Sequence, residues 1–288
     1  MAQPPSLRDV QPSFDRLGPL PPTSPVVVSV PHAGRDYPPA LLARLRVPAA
    51  QLRPLEDRHV DMLALAARAD ETLIVARKAR AWIDLNRSER DRDPRVDDGA
   101  ARFGMPQLSS RVRGGLGLIP RRAAAGTEIW ARSWSADDVA ARIHADHRPY
   151  HAALAETLAA ARARFGVAIL LDLHSMPSLA GADPARIVIG DRFARTSAAR
   201  FVARIEGCAK RAGYAVALNT PYAGGHVLER HAAPGRGIHA IQLEIDRALY
   251  LDAQLDQPGP GFDAVARFVR DVIDALADEA MPTAFAAE

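Results

Sequence analysis

The sequence predicts a single three-layer α/β domain. Three observations carry that prediction: short apolar runs rich in β-branched residues alternate with helical patterns, no linker interrupts them after residue 24, and several runs are apolar at consecutive positions, as in strands buried on both faces. Residues 1–24 hold six prolines without clear periodicity and read as an extended N-terminal arm, leaving residues 25–288 as the one domain. Val26–Val30 reads as a central strand ending at Pro31-His32-Ala33-Gly34. Short helices are expected over Pro38–Leu45 and Val60–Ala69, and further strands over Thr72–Val75 and Ala81–Asp84. Residues 88–128 form a charged, glycine-containing connection long enough to close as a lid. Ser135–Arg164 reads as one long alanine-rich helix, opened by a Ser135/Asp138 capping box and kinked or split by Pro149. Strands return at Ala168–Asp172, Arg186–Ile189, Ala215–Leu218 and Ile238–Ile245, with helices over Arg195–Arg211 and Phe262–Ala277.

Composition excludes several classes of protein. The 288 residues are 48% hydrophobic and 25% charged, which rules out a wholly disordered or collagen-like chain. No apolar run approaches the roughly 18 residues of a membrane span. The opening MAQPPSLRDV lacks the basic and apolar regions of a secretory signal, so a cytoplasmic protein is expected. A pI near 9.3 first suggests nucleic acid, but 37 basic residues face 34 acidic ones, and Lys78 and Lys210 are the only lysines. Arginine raises the pI because it keeps its proton to very high pH, and these arginines are scattered, so no nucleic-acid partner is expected. The single cysteine, Cys208, excludes an internal disulfide or a cysteine-rich metal cluster and reads as a packed helix thiol.

The informative positions are polar residues that interrupt strand ends: His32, Asp84-Leu-Asn86-Arg87, Asp172-Leu-His174-Ser175 and Glu244. Buried charge is costly unless paired or bound to metal, and strand C-terminal ends of an α/β sheet converge on one crevice. Zinc takes His, Asp and Glu ligands and commonly keeps three protein ligands in a catalytic site. His32 and His174 are the leading imidazole donors, and Leu55-Glu56-Asp57-Arg58-His59 could supply the third ligand. His144, His147 and His151, beside Asp146, share one face of the long helix and form a second possible group, although Pro149 falls among them. Serine chemistry is disfavoured, because His174 and Ser175 point to opposite faces of a strand and no G-x-S-x-G elbow is present. Gly114-Gly115, Gly117 and Gly224-Gly225 match neither a phosphate loop nor a dinucleotide fingerprint.

Taken together, SVPHAG (29–34), EDRHVD (56–61), DLNR (84–87), GLGLIPR (115–121), DLHSMP (172–177), NTPYAGGH (219–226) and QLEIDRALY (242–250) resemble the N-formylglutamate amidohydrolase family over roughly residues 25–275. That family is similar in fold to zinc carboxypeptidases and to the deacylases of succinylglutamate and N-acetylaspartate. The resemblance implies a three-layer α/β/α sandwich around a mixed, largely parallel sheet. It implies a metal-dependent amidase that cleaves N-formyl-L-glutamate to formate and L-glutamate, a late step of histidine breakdown. Zinc, or another divalent ion, would be held by His32, His174 and Asp57. Carboxypeptidase-like enzymes usually place a glutamate ligand three residues after the first histidine, and position 35 here is arginine, so Glu56 and His59 stay open beside Asp57 as third ligand. Glu244 matches the catalytic glutamate, Asn86 and Arg87 the pair that holds a substrate carboxylate, and Arg121 is the candidate for the oxyanion or a second carboxylate. The implied partner is a small acidic N-acyl amino acid, with no nucleic acid and no membrane, and the oligomeric state is left open. A related deacylase or carboxypeptidase, or a binding protein that keeps the pocket without turnover, are the alternatives.

Overall fold

The computed structural model describes residues 13–100, 109–123 and 126–281. Among them are seven strands, β1 (Phe14–Leu17), β2 (Val26–Val30), β3 (Thr72–Ala76), β4 (Ala168–Met176), β5 (Ile187–Gly190), β6 (Val216–Leu218) and β7 (Ile238–Asp246). They form one sheet in the order β1-β3-β2-β4-β7-β5-β6. The middle four, β3, β2, β4 and β7, are parallel. The edges reverse direction: β1 is antiparallel to β3, and β5 is antiparallel to β7 but parallel to β6. The sheet is therefore mixed and largely parallel.

Parallel strands need cover on both faces. The described helices are α1 (Pro39–Leu42), α2 (Val60–Ala67), α3 (Ser110–Arg113), α4 (Ala136–Arg142), α5 (Arg148–Phe165), α6 (Ala199–Arg211), α7 (His226–His231) and α8 (Phe262–Ala280). On one face α2, α6 and α8 pack on Val26, Val28, Ile169, Leu171, Leu173, Ile241 and Leu243. On the other, α4, α5 and α7 pack on Val27, Ala168, Leu170 and Ala240. Each fully buried Leu or Ile contributes about 1.5–3 kcal/mol from the water it sheds.

Strand alternation on the α5 face places the chemistry. After Ala168 and Leu170, the next β4 residues on that face are Asp172 and His174. After Ala240 in β7 come Gln242 and Glu244, and after Val27 in β2 comes Ser29. All five are buried. The face is thus apolar at the N-terminal ends of the strands and polar at their C-terminal ends.

The elements follow the expected order, with instructive departures. Ala81–Asp84 is not a strand. Its buried Ala81, Ile83 and Leu85 imitate strand alternation, but the backbone turns at Ala79–Trp82 and Asp84 N donates to Leu118 O at 2.8 Å in a loop. The expected long helix runs unbroken over residues 136–165 but widens at its middle. The capping box of Ser135 and Asp138 opens α4, a π-helical turn covers Ile143–His147 with Arg148 N donating to Ile143 O, and Pro149 follows directly, where this wider turn accommodates its missing N–H. Gly166, in the left-handed region at φ 77°, ends α5. The arm contributes β1, while its first 12 residues, and residues 101–108 and 124–125 of the long connection, lie outside the described residues. No helix among the described residues is long and apolar enough to cross a membrane.

Candidate active site

The C-terminal ends of β2, β3, β4 and β7 surround one cavity of about 310 Å³. His32 enters just after β2, and Asp57 is drawn beside it because Asp57 N donates to His32 O at 3.0 Å. His174 arrives on β4 and Glu244 on β7, paired across the parallel ladder. The loop after β3 brings Arg80, Asn86 and Arg87.

His32, Asp57 and His174 form a triangle whose ligand atoms all lie within 4.8 Å of one another. Asp57 Oδ2 is 3.0 Å from His174 Nδ1 and 3.6 Å from His32 Nδ1, and Arg247 Nη2 donates to Asp57 Oδ1 at 3.0 Å. Both rings are gripped from behind by buried carboxylates. His32 Nε2 meets Asp84 Oδ1 at 2.7 Å, and His174 Nε2 meets Asp172 Oδ2 at 2.9 Å. A carboxylate behind each Nε2 fixes the ring and presents its Nδ1 to Asp57. Ser29 donates to Asp172 Oδ1 at 2.7 Å and Arg80 to Asp84 Oδ2 at 2.7 Å, so the supporting carboxylates are themselves fixed. Two oriented imidazoles and one carboxylate oxygen suit a divalent metal, and carboxylates behind the histidines are what such ligands ordinarily have.

The charges of the site are strongly biased. Burial alone would raise the Asp57 pKa, but hydrogen bonds from His174 and His32 hold it well below the usual carboxylate range. Burial would lower His174, yet Asp172 and Asp57 raise it well above an ordinary imidazole. Glu244 is different. Burial pushes it up to about 7, with the nearby Asp57 charge adding to the effect and His174 opposing it. Gln242 donates to Glu244 Oε1 at 2.9 Å, aiming a carboxyl whose proton is exchangeable near neutrality.

Of the three residues left open as a third ligand, Asp57 is the one that faces both imidazoles. Glu56 is occupied by the Tyr37 hydroxyl and by Arg58, and His59, in a left-handed turn at φ 60°, points to Asp256 O at 2.9 Å. Arg121 lies apart from the other expected site residues. Its guanidinium is held by Asp93 at 2.8 Å and Glu128 at 2.6 Å and does not line the cavity. The loop carrying it folds back, with Arg121 N donating to Gly115 O at 2.8 Å. Arg80, Arg87, Arg111 and Arg247 line the cavity instead, with Tyr222. The strongest sequence signals for these were Arg80, four residues before Asp84, and Arg247, which follows the β7 motif directly. Burial brings Arg87 down to about 10, against the raising effect of Asp84, and Arg87 spends two of its donors on the backbone carbonyls of Leu116 and Asn86 at 2.8 Å each.

The three histidines expected on one helix face separate. His144 is exposed beside Arg148, whereas His147 and His151 turn inward to meet His226 and His231 from α7. Burial lowers the pKa of all four, to about 4 for His226 and about 3 for His231, so these imidazoles are uncharged.

The family model for N-formylglutamate amidohydrolase matches residues 24–251. The chain belongs to the N-formylglutamate amidohydrolase family. N-formylglutamate deformylase of Pseudomonas aeruginosa is 29% identical over 238 residues, spanning 80% of this chain and 83% of that protein. The enzyme of the same name from Pseudomonas putida is 28% identical over 236 residues, 79% and 82% of the two chains. The crystal structure of N-formylglutamate amidohydrolase from Ralstonia eutropha JMP134 superposes with a TM-score of 0.81 at 33% identity, covering 93% of this chain and 97% of that one. This amidohydrolase fold extends to a gene product of Agrobacterium tumefaciens, at a TM-score of 0.65 and 18% identity.

Proposed function

We propose that this amidohydrolase cleaves N-formyl-L-glutamate to formate and L-glutamate, with a divalent metal, zinc foremost, held by His32, Asp57 and His174. The observation that carries the reading is the arrangement of the cavity: a His-Asp-His triangle stands beside a carboxyl with a pKa of about 7, and four arginines line the same space. A metal bound there polarises a carbonyl and makes water more acidic.

The chain's own residues supply the rest. Asn86 and Arg87 take the α-carboxylate of the substrate, whose charge suits a guanidinium and a carboxamide side by side. Arg111 receives the side-chain carboxylate. Its Nη2 donates to Gly224 O at 3.3 Å, and no carboxylate among the described residues pairs with it within ion-pair distance. Glu244 accepts a proton from the attacking water and returns it to the departing amine, which requires a group poised between its two protonation states at the working pH. Arg80 is anchored on Asp84 and Arg247 on Asp57, so these two keep the cavity cationic without being free to follow the substrate.

The test is formate release from N-formyl-L-glutamate, with chelator and with added zinc. Formate that is lost on chelation and restored by metal supports the reading, and no formate under any metal condition overturns it. N-acetyl- and N-succinyl-glutamate run in parallel separate a deformylase from a broader deacylase.

A further inference from the structure

The backbone of Leu85–Arg87, whose last two residues line the cavity, is held from another side by histidines that do not line it. His147 Nε2 meets Arg87 O at 2.8 Å, His151 Nε2 meets Leu85 O at 3.0 Å, and His226 N donates to Asn86 O at 3.4 Å. We propose that His147, His151 and His226 form a second metal site, one that takes a divalent transition metal and is separate from the His32–Asp57–His174 triangle.

Their ligand nitrogens all lie within 4.8 Å of one another. A carbonyl only accepts, so His147 and His151 each carry their proton on Nε2 and leave Nδ1 as a lone pair. That is how metal-binding histidines are ordinarily oriented. His147 is wholly buried, and its Nδ1 has no hydrogen-bond partner; neither do Nδ1 and Nε2 of His226. The carboxylates facing them, Glu89 at 3.8 Å from His147 Nδ1 and Glu229 at 3.9 Å from His226 Nδ1, are beyond hydrogen-bond reach. A buried polar atom left without a partner is unfavourable, and three in one cluster point to something that fills the space between them. His151 Nδ1 accepts from His231 Nε2 at 2.9 Å, so an incoming metal displaces that bond and frees His231 to turn. A set of neutral imidazoles selects zinc, cobalt, nickel or copper over magnesium or calcium.

The experiment uses Co²⁺ as probe on the full chain stripped of metal. Cobalt retained per chain after desalting is read with the visible absorption of the bound ion and with the melting temperature. The wild-type chain is expected to retain two equivalents. His174→Ala, which breaks the triangle, is expected to retain one and to melt higher with cobalt than without. His174→Ala combined with His226→Gln is expected to retain none and to lose that shift. His226 is only part-buried, which favours folding of the second variant. His147→Gln, tested on its own, should drop the wild-type count from two to one. One equivalent in the wild type together with none in His174→Ala overturns the proposal, as does His174→Ala retaining cobalt equally with and without His226.

Discussion

Glu244 and His174 are register partners across the parallel β4–β7 ladder, buried on the same face of the sheet. The ladder continues from Ala168↔Ile238 to Met176↔Asp246, so the spacing between the proposed base and the proposed ligand is set by strand pairing rather than by a loop. Glu244→Gln keeps the shape and removes the titrating proton. Turnover is expected to fall at least about a hundredfold while metal content stays unchanged. Formate release and elemental analysis of the same preparation check it, and wild-type turnover would end the role given to Glu244.

The carboxylates behind the histidines should control metal affinity. Asp172→Asn leaves Ser29 a partner but weakens the hold on His174 Nε2. Affinity is expected to drop about 10–100-fold, measured by competition with a chelator. Asp84→Asn acts alike through His32. Unchanged affinity in both variants would mean that the triangle is not where the metal sits.

Gly225 packs against the Asn86 carboxamide so closely that a Cβ there would collide with it. Val227 N donates to Asn86 Oδ1 at 2.9 Å, fixing the same group from the start of α7. Gly225→Ala must therefore displace Asn86. The expected result is a KM raised about tenfold or more, the size of one lost hydrogen bond to a charged group, with metal content preserved. An unaltered KM would remove Asn86 from substrate binding.

Far from the cavity, Arg270 of α8 grips buried Glu71 through two bonds, at 2.7 and 3.0 Å. Burial would raise the Glu71 pKa, but the Arg270 hydrogen bonds outweigh it and hold Glu71 below its ordinary value of 4.5. A carboxyl depressed in the folded chain stabilises it above the unfolded pKa, and that contribution is lost as pH falls below about 4.5. Arg270→Met leaves the carboxylate only backbone partners such as Ala69 N, at 2.9 Å, and should cost about 1–3 kcal/mol at pH 7. Protonation relieves the stranded group, so the gap between wild type and variant should narrow from pH 7 to pH 4 in urea unfolding. A gap that does not change with pH would contradict this account.

What the sequence disclosed follows from where its pattern is local. Val26–Val28 and Ala168–Leu171 are apolar on consecutive residues, Ile238–Ile245 carries Gln242 and Glu244 on alternate positions, and the polar residues toward the strand ends meet in the crevice of a parallel sheet. Which of Glu56, Asp57 and His59 faces the imidazoles is not legible locally, because it depends on the Asp57–His32 backbone bond and on the left-handed turn at His59. Arg121 closes the GLGLIPR motif, and its partners Asp93 and Glu128 lie in the same irregular connection, whose pairing leaves no periodic trace. Ala81–Asp84 shows the opposite hazard, an irregular segment that lies on the core and borrows a strand's alternation.

The π turn at Ile143–His147 inserts one extra residue between α4 and α5, and one residue is about 100° of rotation about a helix axis. It thereby sets the azimuth of everything after it, including His147 and His151, toward the carbonyls of Arg87 and Leu85. Loss of a single residue there would swing both imidazoles off their targets. The segment is thus intolerant of length change, so a one-residue deletion there is expected to impair the enzyme with every cavity-lining residue intact.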